Sequence, residues 1–345
     1  MIITKTPLRV TFTGGGSDMP SYFGTHGGHC INAAIDKYVY VLVKKRSDNK
    51  IYLKYSENEV VDVDSIYAIQ HDFIRETLIY LGIDYGLEII NWADIPTKGS
   101  GLGSSGSFLV GLLHALHTLQ GHNPSKEQLA KEASHVEMTL CHKPIGYQDQ
   151  YAAAYGGLNE LIFNKADPDD DLFSNHVIEV NNLISDDNEL RSISEDLHLF
   201  YTGTTRDSGP ILSDQSQNLS EDKTAIECMK ENVDLSYWLR DHIDYKRFIY
   251  IGHALKRNWE LKINFSKKIV NDSILEMYKT AMSAEAIGGK VIGAGGGGFM
   301  MFYAERANQQ SVEVALNKLG EYKSMPFEID KYGSRVIINM ESLSW

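Results

Sequence analysis

The stretch PTKGSGLGSSGSFLV, residues 96–110, constrains this chain most, because four glycines and four serines stand directly before an apolar segment. Apolar side chains in residues 108–119 recur at helical spacing, and Gly121 follows as a typical helix stop. The pattern predicts a helix with Ser104 or Ser105 as its N-cap. Its first turn holds no acidic residue, although acids are favoured there, so the positive end of the helix is open to an anion.

Small residues ahead of that helix let backbone N–H groups approach a ligand closely, and together these features indicate a phosphate-binding loop. It is not a Walker A loop, which needs GxxxxGK followed by Ser or Thr. Here the lysine of the stretch, Lys98, precedes the glycines. A flexible turn before a capped helix is the alternative that a Gly/Ser loop alone leaves open.

Composition excludes several classes of protein. The chain has 345 residues, enough for about two domains, and a net charge of −13 that repels nucleic acid. No apolar run approaches the roughly 18 residues that span a bilayer, and the N-terminus is typical of a strand rather than a signal peptide. Three cysteines without CxxC spacing exclude a disulfide scaffold and a thiolate zinc site. We therefore expect a cytoplasmic protein without a nucleic-acid or membrane partner.

Strand and helix patterns follow one another in an α+β layout. The first half predicts a strand at 7–13, a pair of strands at 37–46 and 50–55, a helix at 71–82 and a strand at 86–93. Further on, the sequence predicts a helix from Ser125 with a capping box, strands at 157–163, 196–203 and 334–340, and helices at 221–241, 245–261 and 306–319. The acidic segment 164–175 reads as a surface loop, so we predict domains at 1–185 and 186–345.

A second glycine motif, GAGGGG at 293–298, also matches the GxGxxG pattern of dinucleotide-binding folds. That fingerprint must open a helix, whereas residues 299–303 (FMMFY) are typical of a strand. We therefore predict a strand, a glycine turn and a second strand.

Three segments together resemble the GHMP kinases, the superfamily of galactokinase, homoserine kinase, mevalonate kinase and phosphomevalonate kinase. They are PTKGSGLGSS, TPLRVTFTGGGSDMPSY at 6–22 and GGKVIGAGGGGF at 288–299. The resemblance implies a ribosomal protein S5 domain 2-like N-terminal domain and a ferredoxin-like C-terminal domain, with ATP and Mg²⁺ as cofactors. It also implies a loop that supports the phosphate loop, at Gly295, Gly296 and Gly297. The implied ATP-binding residues are Pro96, Lys98, Gly99, Ser100, Gly101, Leu102, Gly103, Ser104 and Ser105.

Three further residues are candidates for the chemistry. Glu137 falls inside the apolar stripe of the helix from Ser125, where a lone carboxylate is costly unless it is paired or binds metal. A rim glutamate whose head reaches water is the alternative. The resemblance implies that Glu137 and Ser105 hold magnesium. It also implies that Asp149, in GYQDQ, is the catalytic base and that Arg9 lies beside it. By themselves, Asp149 could be an N-cap and Arg9 a surface residue.

The acceptor side depends on GGGSDMPSY, in which Asp18 could also form an Asx-turn. By resemblance Asp18, with Gly16 and Ser17, holds sugar hydroxyls. The segment resembles most the branch that acts on D-glycero-D-manno-heptose 7-phosphate, and related fucokinase-like sugar kinases. This implies phosphorylation of the anomeric hydroxyl to the 1,7-bisphosphate, a precursor of nucleotide-activated heptose for surface polysaccharide.

A sugar phosphate needs a cationic clamp, for which Arg206 in TGTTRDSG is the first candidate and Lys143 a weaker one. The segment HGGH, with His26, Gly27 and Gly28, has no obvious carboxylate or cysteine partner. We therefore expect it to face the sugar and not to bind metal.

Two alternatives remain. A fucokinase-like enzyme would act on a neutral sugar, and a nucleotide-binding sensor would have a dead kinase fold. Retention of Arg9, Ser105, Glu137 and Asp149 together argues against the sensor. We expect a small-molecule sugar phosphate as the substrate and a homodimer as an assembly compatible with the family.

Overall fold

Two β-sheets organise the protein. A computed structural model describes residues 1–95, 99–165, 178–205 and 207–340. The larger sheet has eight strands: β1 (Ile2–Thr13), β2 (Gly28–Lys45), β3 (Lys50–Lys54), β4 (Asn58–Asp62), β5 (Leu87–Ala93), β6 (Leu158–Phe163), β7 (Ile178–Asn182) and β12 (Arg335–Asn339). The smaller sheet has four: β8 (Leu197–Tyr201), β9 (Gly288–Val291), β10 (Phe299–Tyr303) and β11 (Ser324–Met325).

Helices connect the strands of both sheets. They are α1 (Pro20–His26), α2 (Asp72–Tyr80), α3 (Ser104–Leu119), α4 (Lys126–Ser134), α5 (Gln148–Tyr155), α6 (Asp187–Glu195), α7 (Gly209–Glu221), α8 (Lys223–Asp244), α9 (Ile249–Lys262), α10 (Asp272–Ser283) and α11 (Gln309–Gly320). Short 3₁₀ helices occur at Val63–Ala68 and Lys267–Ile269, and a π-helical turn occupies His135–Leu140. No helix within the described residues is long and apolar enough to cross a membrane.

The long strand β2 is the centre of the larger sheet. One side of it pairs with β1, while residues 28–33 pair with β6 and residues 39–45 pair with β5 on the other side. The predicted direct pairing of 37–46 with 50–55 is wrong, because β5 lies between β2 and β3 and pairs with both. Alternating apolar residues indicate that a segment is a strand, whereas its neighbours are chosen by packing of the whole sheet.

Helix α3, predicted from the glycine stretch, packs against β1 and β2. Twelve of its 16 residues are buried, so it is a core helix with its N-terminus at the surface of a cavity. The predicted N-cap at Ser104 or Ser105 is wrong. Gly103 is the N-cap and has a φ of 76°, a left-handed conformation that glycine adopts without steric cost. The helix ends at Leu119, two residues before Gly121.

The smaller sheet has the strand order β11-β8-β10-β9 and is antiparallel throughout. In chain order, β8 is followed by helices α7–α10, then by β9 and β10, helix α11 and β11. This β-α-β-β-α-β pattern is the ferredoxin-like arrangement. Residues 299–303 form β10 and pair with β9, so the strand–turn–strand prediction for the second glycine motif is confirmed. The dinucleotide alternative is excluded because no helix follows the glycines.

The chain passes from the larger to the smaller sheet between β7, which ends at Asn182, and β8, which begins at Leu197. It returns once, because β12 pairs with β1. The α+β class is confirmed, whereas the boundary at 185/186 stays a prediction. Residues 166–175 of the acidic segment interpreted as a surface loop lie outside the described residues.

Candidate active site

The two glycine motifs line a common cavity of about 270 Å³ between the two sheets. One wall comes from β1, the segment 99–105 and the start of α5. The opposite wall comes from α7, the end of α9 and the segment 293–297. Residues from both halves of the chain therefore meet at one site, which a single local motif does not encode.

The phosphate loop alternates between the cavity and the protein interior. Gly99, Gly101, Gly103, Ser104 and Ser105 line the cavity. Ser100 and Leu102 are buried, and the Leu102 carbonyl accepts a hydrogen bond from the Arg9 backbone N–H at 2.9 Å. The loop is thus fastened to β1 from behind and presents mainly backbone to the cavity. Pro96 and Lys98 lie outside the described residues.

The phosphate loop and the second glycine loop touch through their backbones at Gly101 and Gly293. Both have positive φ values, 77° and 68°. A Cβ on Gly101 would lie 2.5 Å from the Ile292 carbonyl oxygen, and a Cβ on Gly293 would lie 2.5 Å from the Gly101 carbonyl oxygen. Only glycine fits at either position.

The predicted supporting loop lies in contact with this region. Gly295 and Gly297 line the cavity, and the Gly296 N–H donates to the Ile269 carbonyl at 2.8 Å. The loop therefore closes one wall of the cavity and is anchored to the 3₁₀ helix at Lys267–Ile269.

Arg9 and Asp149 form an ion pair in the cavity. Arg9 Nε donates to Asp149 Oδ1 at 2.8 Å, and Arg9 NH2 lies 2.7 Å from the same oxygen. Arg9 NH1 donates to the Gly101 carbonyl at 2.6 Å, so this arginine joins the carboxylate to the phosphate loop. Asp149 lies in the first turn of α5, whose N-cap is Tyr147, so the N-cap alternative for Asp149 is wrong. Arg9 is 5% exposed, which also excludes the surface alternative.

The carboxylate of Asp149 uses only one oxygen in that pair. Within the described residues, Oδ2 makes no hydrogen bond. The side chain lines the cavity and is 21% exposed. A free carboxylate oxygen that reaches the cavity is the geometry that a general base requires.

Glu137 and Ser105 meet beside the N-terminus of α3. The helix from Ser125 does not continue through Glu137, which lies in the π-helical turn His135–Leu140. Its carboxylate accepts hydrogen bonds from the Ser105 side chain and from Gln150 Nε2, the latter at 2.7 Å. Burial raises the pKa of Glu137 to about 7. Its 2% exposure excludes the alternative of a rim glutamate.

These residues fit a divalent cation. A buried carboxylate with no ion pair among the described residues is costly, and a nearby cation would stabilise its charged form. Mg²⁺ needs only one or two protein oxygens when phosphates and water complete its coordination. No group of three or more His, Cys, Asp or Glu side chains that could hold a metal occurs in the described part of the chain.

Asp18 is held at the other end of the cavity by three neutral donors. Its carboxylate accepts from the Gly16 N–H at 2.8 Å, from Gln148 Nε2 at 2.9 Å and from the Gln148 N–H at 3.2 Å. Burial, followed by the nearby charge of Asp149, raises the pKa of Asp18. Gln148 in turn accepts from Thr11 Oγ1 at 2.6 Å. Sequence reasoning missed Gln148, although it belongs to the same GYQDQ segment as Asp149.

The other predicted acceptor residues lie behind the cavity wall, apart from Gly16, which lines it. Ser17 is buried, and its hydroxyl bonds the backbone of His29. The HGGH residues do not line the cavity, so the structure does not support the expectation that this segment faces the sugar, which stays a prediction. His26 stacks on Tyr22, Gly27 caps α1 and Gly28 packs against the Ser17 carbonyl.

His29 does have a carboxylate partner, which the sequence pattern did not indicate. Its Nε2 lies 2.8 Å from Glu160 Oε1, and Arg240 NH1 donates to the same oxygen at 3.2 Å. Of the two predicted clamp residues, Lys143 forms an ion pair with Asp72, with Nζ 2.7 Å from Oδ2. Neither residue lines the cavity. Arg206 lies outside the described residues.

Two buried lysines that sequence reasoning missed also line the cavity. Lys262 Nζ, at the end of α9, donates to the carbonyls of Val291 and Gly293. Lys290 Nζ, on β9, donates to the Phe12 carbonyl at 3.1 Å. Burial and the charge of Arg9 lower the pKa of Lys262 to about 7 and also lower the pKa of Lys290. No sequence pattern distinguishes these lysines from surface lysines.

The cavity therefore combines a backbone anion cradle, an arginine–carboxylate pair and two buried lysines. Two family descriptions match the chain: GHMP kinases N terminal domain over residues 66–157 and GHMP kinases C terminal over residues 239–322. The chain belongs to the GHMP kinase family. This GHMP kinase is therefore an enzyme that transfers a phosphoryl group to an alcohol, and the family, fold and enzyme predictions are confirmed.

Relatives of this GHMP kinase include sugar kinases. It is 29% identical to D-glycero-alpha-D-manno-heptose 7-phosphate kinase of Campylobacter jejuni over 92% of this chain and 93% of that protein. It is 22% identical to the bifunctional fucokinase/GDP-fucose pyrophosphorylase of Arabidopsis thaliana over 88% of this chain and 30% of that protein. A D-glycero-D-manno-heptose 1-phosphate kinase structure from Bacteroides thetaiotaomicron superposes with a TM-score of 0.77 at 24% identity, covering 98% of this chain and 99% of the other.

Proposed function

We propose that this kinase transfers the γ-phosphoryl group of ATP to the anomeric hydroxyl of D-glycero-D-manno-heptose 7-phosphate and forms the 1,7-bisphosphate. The observation that carries this proposal is the position of Asp149 between the phosphate loop and Asp18, with one carboxylate oxygen free toward the cavity. The heptose 7-phosphate kinase relative, which matches over almost its whole length, supports the choice of sugar.

On the acceptor side, Asp18 accepts hydrogen bonds from sugar hydroxyls and holds the ring. Asp149 Oδ2 takes the proton of the anomeric hydroxyl as that oxygen attacks the γ-phosphorus. The bond from the γ-phosphorus to the bridging oxygen then breaks, and ADP leaves. General-base action contributes roughly 10²–10⁴-fold, and positioning with charge neutralisation supplies most of the remainder.

On the nucleotide side, the backbone of residues 99–105 and the N-terminus of α3 bind the phosphates. The helix dipole contributes only ~0.3–1 kcal/mol, so backbone hydrogen bonds and nearby cations carry most of the binding. Arg9 offsets charge on the transferred phosphoryl group. Ser105 and Glu137 would hold Mg²⁺, which supplies further neutralisation of the phosphates when bound.

The 7-phosphate of the acceptor needs a cation, and we assign this role to Arg206. The assignment rests on the sequence TGTTRDSG, in which hydroxyl residues flank this arginine. A guanidinium binds phosphate through two parallel hydrogen bonds. The product would serve nucleotide-activated heptose for surface polysaccharide, in the cytoplasm.

An ADP-release screen over phosphorylated and neutral C6 and C7 sugars tests the proposal, with NMR of the product to locate the new phosphate. Heptose 7-phosphate is expected to have the highest kcat/KM and to be phosphorylated at the anomeric oxygen. A preferred neutral sugar, or phosphorylation at another hydroxyl, would overturn the assignment. ATP binding without ADP release in the presence of any of the sugars would favour the sensor alternative.

Arg206→Ala separates the proposal from the fucokinase-like alternative, which the match to the fucokinase of Arabidopsis thaliana supports. If Arg206 clamps the 7-phosphate, KM for heptose 7-phosphate rises by about tenfold or more, as expected for the loss of a charge-assisted hydrogen-bonded pair. KM for ATP stays unchanged. An unchanged KM for the preferred sugar contradicts the clamp.

A further inference from the structure

Gln215 is a buried polar side chain with no hydrogen-bond partner among the described residues. It lies in the middle of α7, is 4% exposed and lines the cavity. Across the described residues its carboxamide makes no hydrogen bond. Buried polar groups in folded proteins are almost always hydrogen-bonded, so an amide that faces a cavity without a described protein partner is available to bind a ligand there.

Its position assigns it to the acceptor end of the cavity. A Cβ on Gly16 would lie 2.3 Å from Gln215 Nε2, so the amide lies against the backbone of Gly16. The Gly16 N–H is the group that donates to Asp18 Oδ1 at 2.8 Å. Gln215 and Asp18 therefore stand on either side of one glycine loop, the former from α7 and the latter from the segment after β1.

Neighbours of Gln215 on the same helix face extend this wall. Leu212 precedes it by three residues and Ser208, the N-cap of α7, by seven, and all three line the cavity. The wall thus offers one apolar contact beside a polar amide. Neutral amides and hydroxyls are typical of sites for neutral polyhydroxylated groups, whereas phosphates are bound by cations and backbone N–H groups.

We propose that Gln215 is a specificity-determining residue that binds two neighbouring hydroxyl groups of the acceptor sugar. The inference rests on the proposed sugar kinase function and deepens it. Asp18 can only accept hydrogen bonds, whereas the carboxamide donates through Nε2 and accepts at Oε1. Two adjacent hydroxyls satisfy both atoms only when their relative orientation matches the amide. The Nε2 and Oε1 atoms of Gln215 would therefore select the stereochemistry of the sugar at carbons away from the reacting oxygen.

The alternative is a packing role, in which Gln215 only supports the loop at Gly16. The two roles differ in what they change. A packing residue affects thermal stability and disturbs the whole cavity, including ATP binding. A ligand residue affects acceptor kinetics and leaves both Tm and ATP affinity nearly unchanged.

Gln215→Leu tests the proposal, with Gln217→Leu as the matched control. Gln217 lies two residues further along α7 and is exposed, with its Nε2 3.2 Å from Glu221 Oε2. For Gln215→Leu, kcat/KM for the preferred sugar is expected to fall by about tenfold to a hundredfold, as for loss of one or two hydrogen bonds. The control is expected to match the wild type. Equal kcat/KM in the two variants overturns the inference.

Acceptors that lack single hydroxyls locate the contact. Removing the hydroxyls that Gln215 binds lowers kcat/KM of the wild type but has little further effect in Gln215→Leu, because the two changes remove the same interaction. Fully additive losses for every deoxy sugar contradict the proposal. If Gln215→Leu does not fold, Gln215→Glu decides, since it keeps the shape and removes the donor.

The outcomes separate the two proposals. No turnover of any sugar by the wild type removes the proposed function itself. Normal wild-type turnover with an unaffected Gln215→Leu variant removes only the role of Gln215. A fall in Tm and in ATP affinity together with kcat/KM assigns the residue to packing.

Discussion

The two ends of the cavity differ in the groups that line them: backbone at one end and side chains at the other. The nucleotide end is mainly backbone, supplied by the loop 99–105 and by the glycine loop that touches it at Gly293. The proposed acceptor end consists of side chains, with Asp18 held by Gln148 and with Gln215 against the backbone of Gly16. Phosphates need many N–H groups in close approach, which small residues permit. A sugar needs donors and acceptors at defined positions, which only side chains of several segments provide.

This difference explains why one end of the cavity could be predicted from the sequence and the other could not. A backbone site requires glycines at fixed spacing within a short stretch. A side-chain site takes residues from the segment after β1, from α5 and from α7, three elements that lie far apart along the chain. Substitutions at the two ends should therefore fail in different ways, and three predictions test this.

The largest effect is expected at the junction of the two ends. Asp149→Asn removes the proposed base but keeps the size of the side chain, so kcat should fall by roughly 10²–10⁴-fold. ATP affinity should stay nearly unchanged, because the phosphates are bound by backbone and cations. Steady-state kinetics and ATP titration measure both quantities, and the exposed Asp84→Asn is the control. Wild-type turnover in Asp149→Asn would remove Asp149 as the base.

A smaller effect is expected at the proposed nucleotide end, where stability and ATP affinity should fall rather than kcat. Gly293→Ala combines a φ of 68° with a Cβ only 2.5 Å from the Gly101 carbonyl oxygen. It should lower the free energy of unfolding by about 1–3 kcal/mol and weaken ATP binding, because the two loops must separate. Denaturant unfolding and ATP titration measure these changes.

Gly82→Ala is the control for Gly293→Ala. Gly82 has a similar φ of 63°, but nothing lies within 4 Å of its added Cβ. The control variant reports backbone strain alone, so the excess in Gly293→Ala measures the contact between the loops. Equal destabilisation with unchanged ATP affinity would mean that the contact does not shape the phosphate site.

The smallest effect is a change in protonation. Burial and the charge of Arg9 lower the pKa of Lys262 to about 7, so the ammonium is partly neutral just above that pH. Bound phosphates favour the charged form and raise the pKa, so ATP binding at pH 7–8 should take up a proton, at most about one per nucleotide. Calorimetry in buffers with different ionisation enthalpies measures the uptake. Lys262→Met should abolish it, and unchanged uptake in that variant would assign the proton to another group.

The same lysine also makes the stability of the folded protein depend on pH. Because its folded pKa lies below that of an exposed lysine, the unfolded chain binds more protons between the two values. The contribution of Lys262 to stability therefore rises with pH from about 7 upward. Below that pH the buried charge is unfavourable in full.

Much of the fold could be predicted because it depends on local patterns. Helical spacing after the glycines identified α3, and the β-type run FMMFY identified β10 and excluded a dinucleotide fold. The errors concern what lies next to what. The strands at 37–46 and 50–55 were paired directly, although β5 separates them, and the residues of HGGH, expected at the cavity, do not line it.

The sequence by itself determined the family, the order of strands and helices and the backbone-built nucleotide end, because glycine spacing and hydrophobic period are local properties. Only the tertiary structure decided which polar side chains are buried at the cavity. Lys262, Lys290 and Gln215 look like ordinary helix and strand residues in the sequence. They become candidates because distant segments exclude water around them, and burial is what changes a pKa or leaves an amide in need of a ligand.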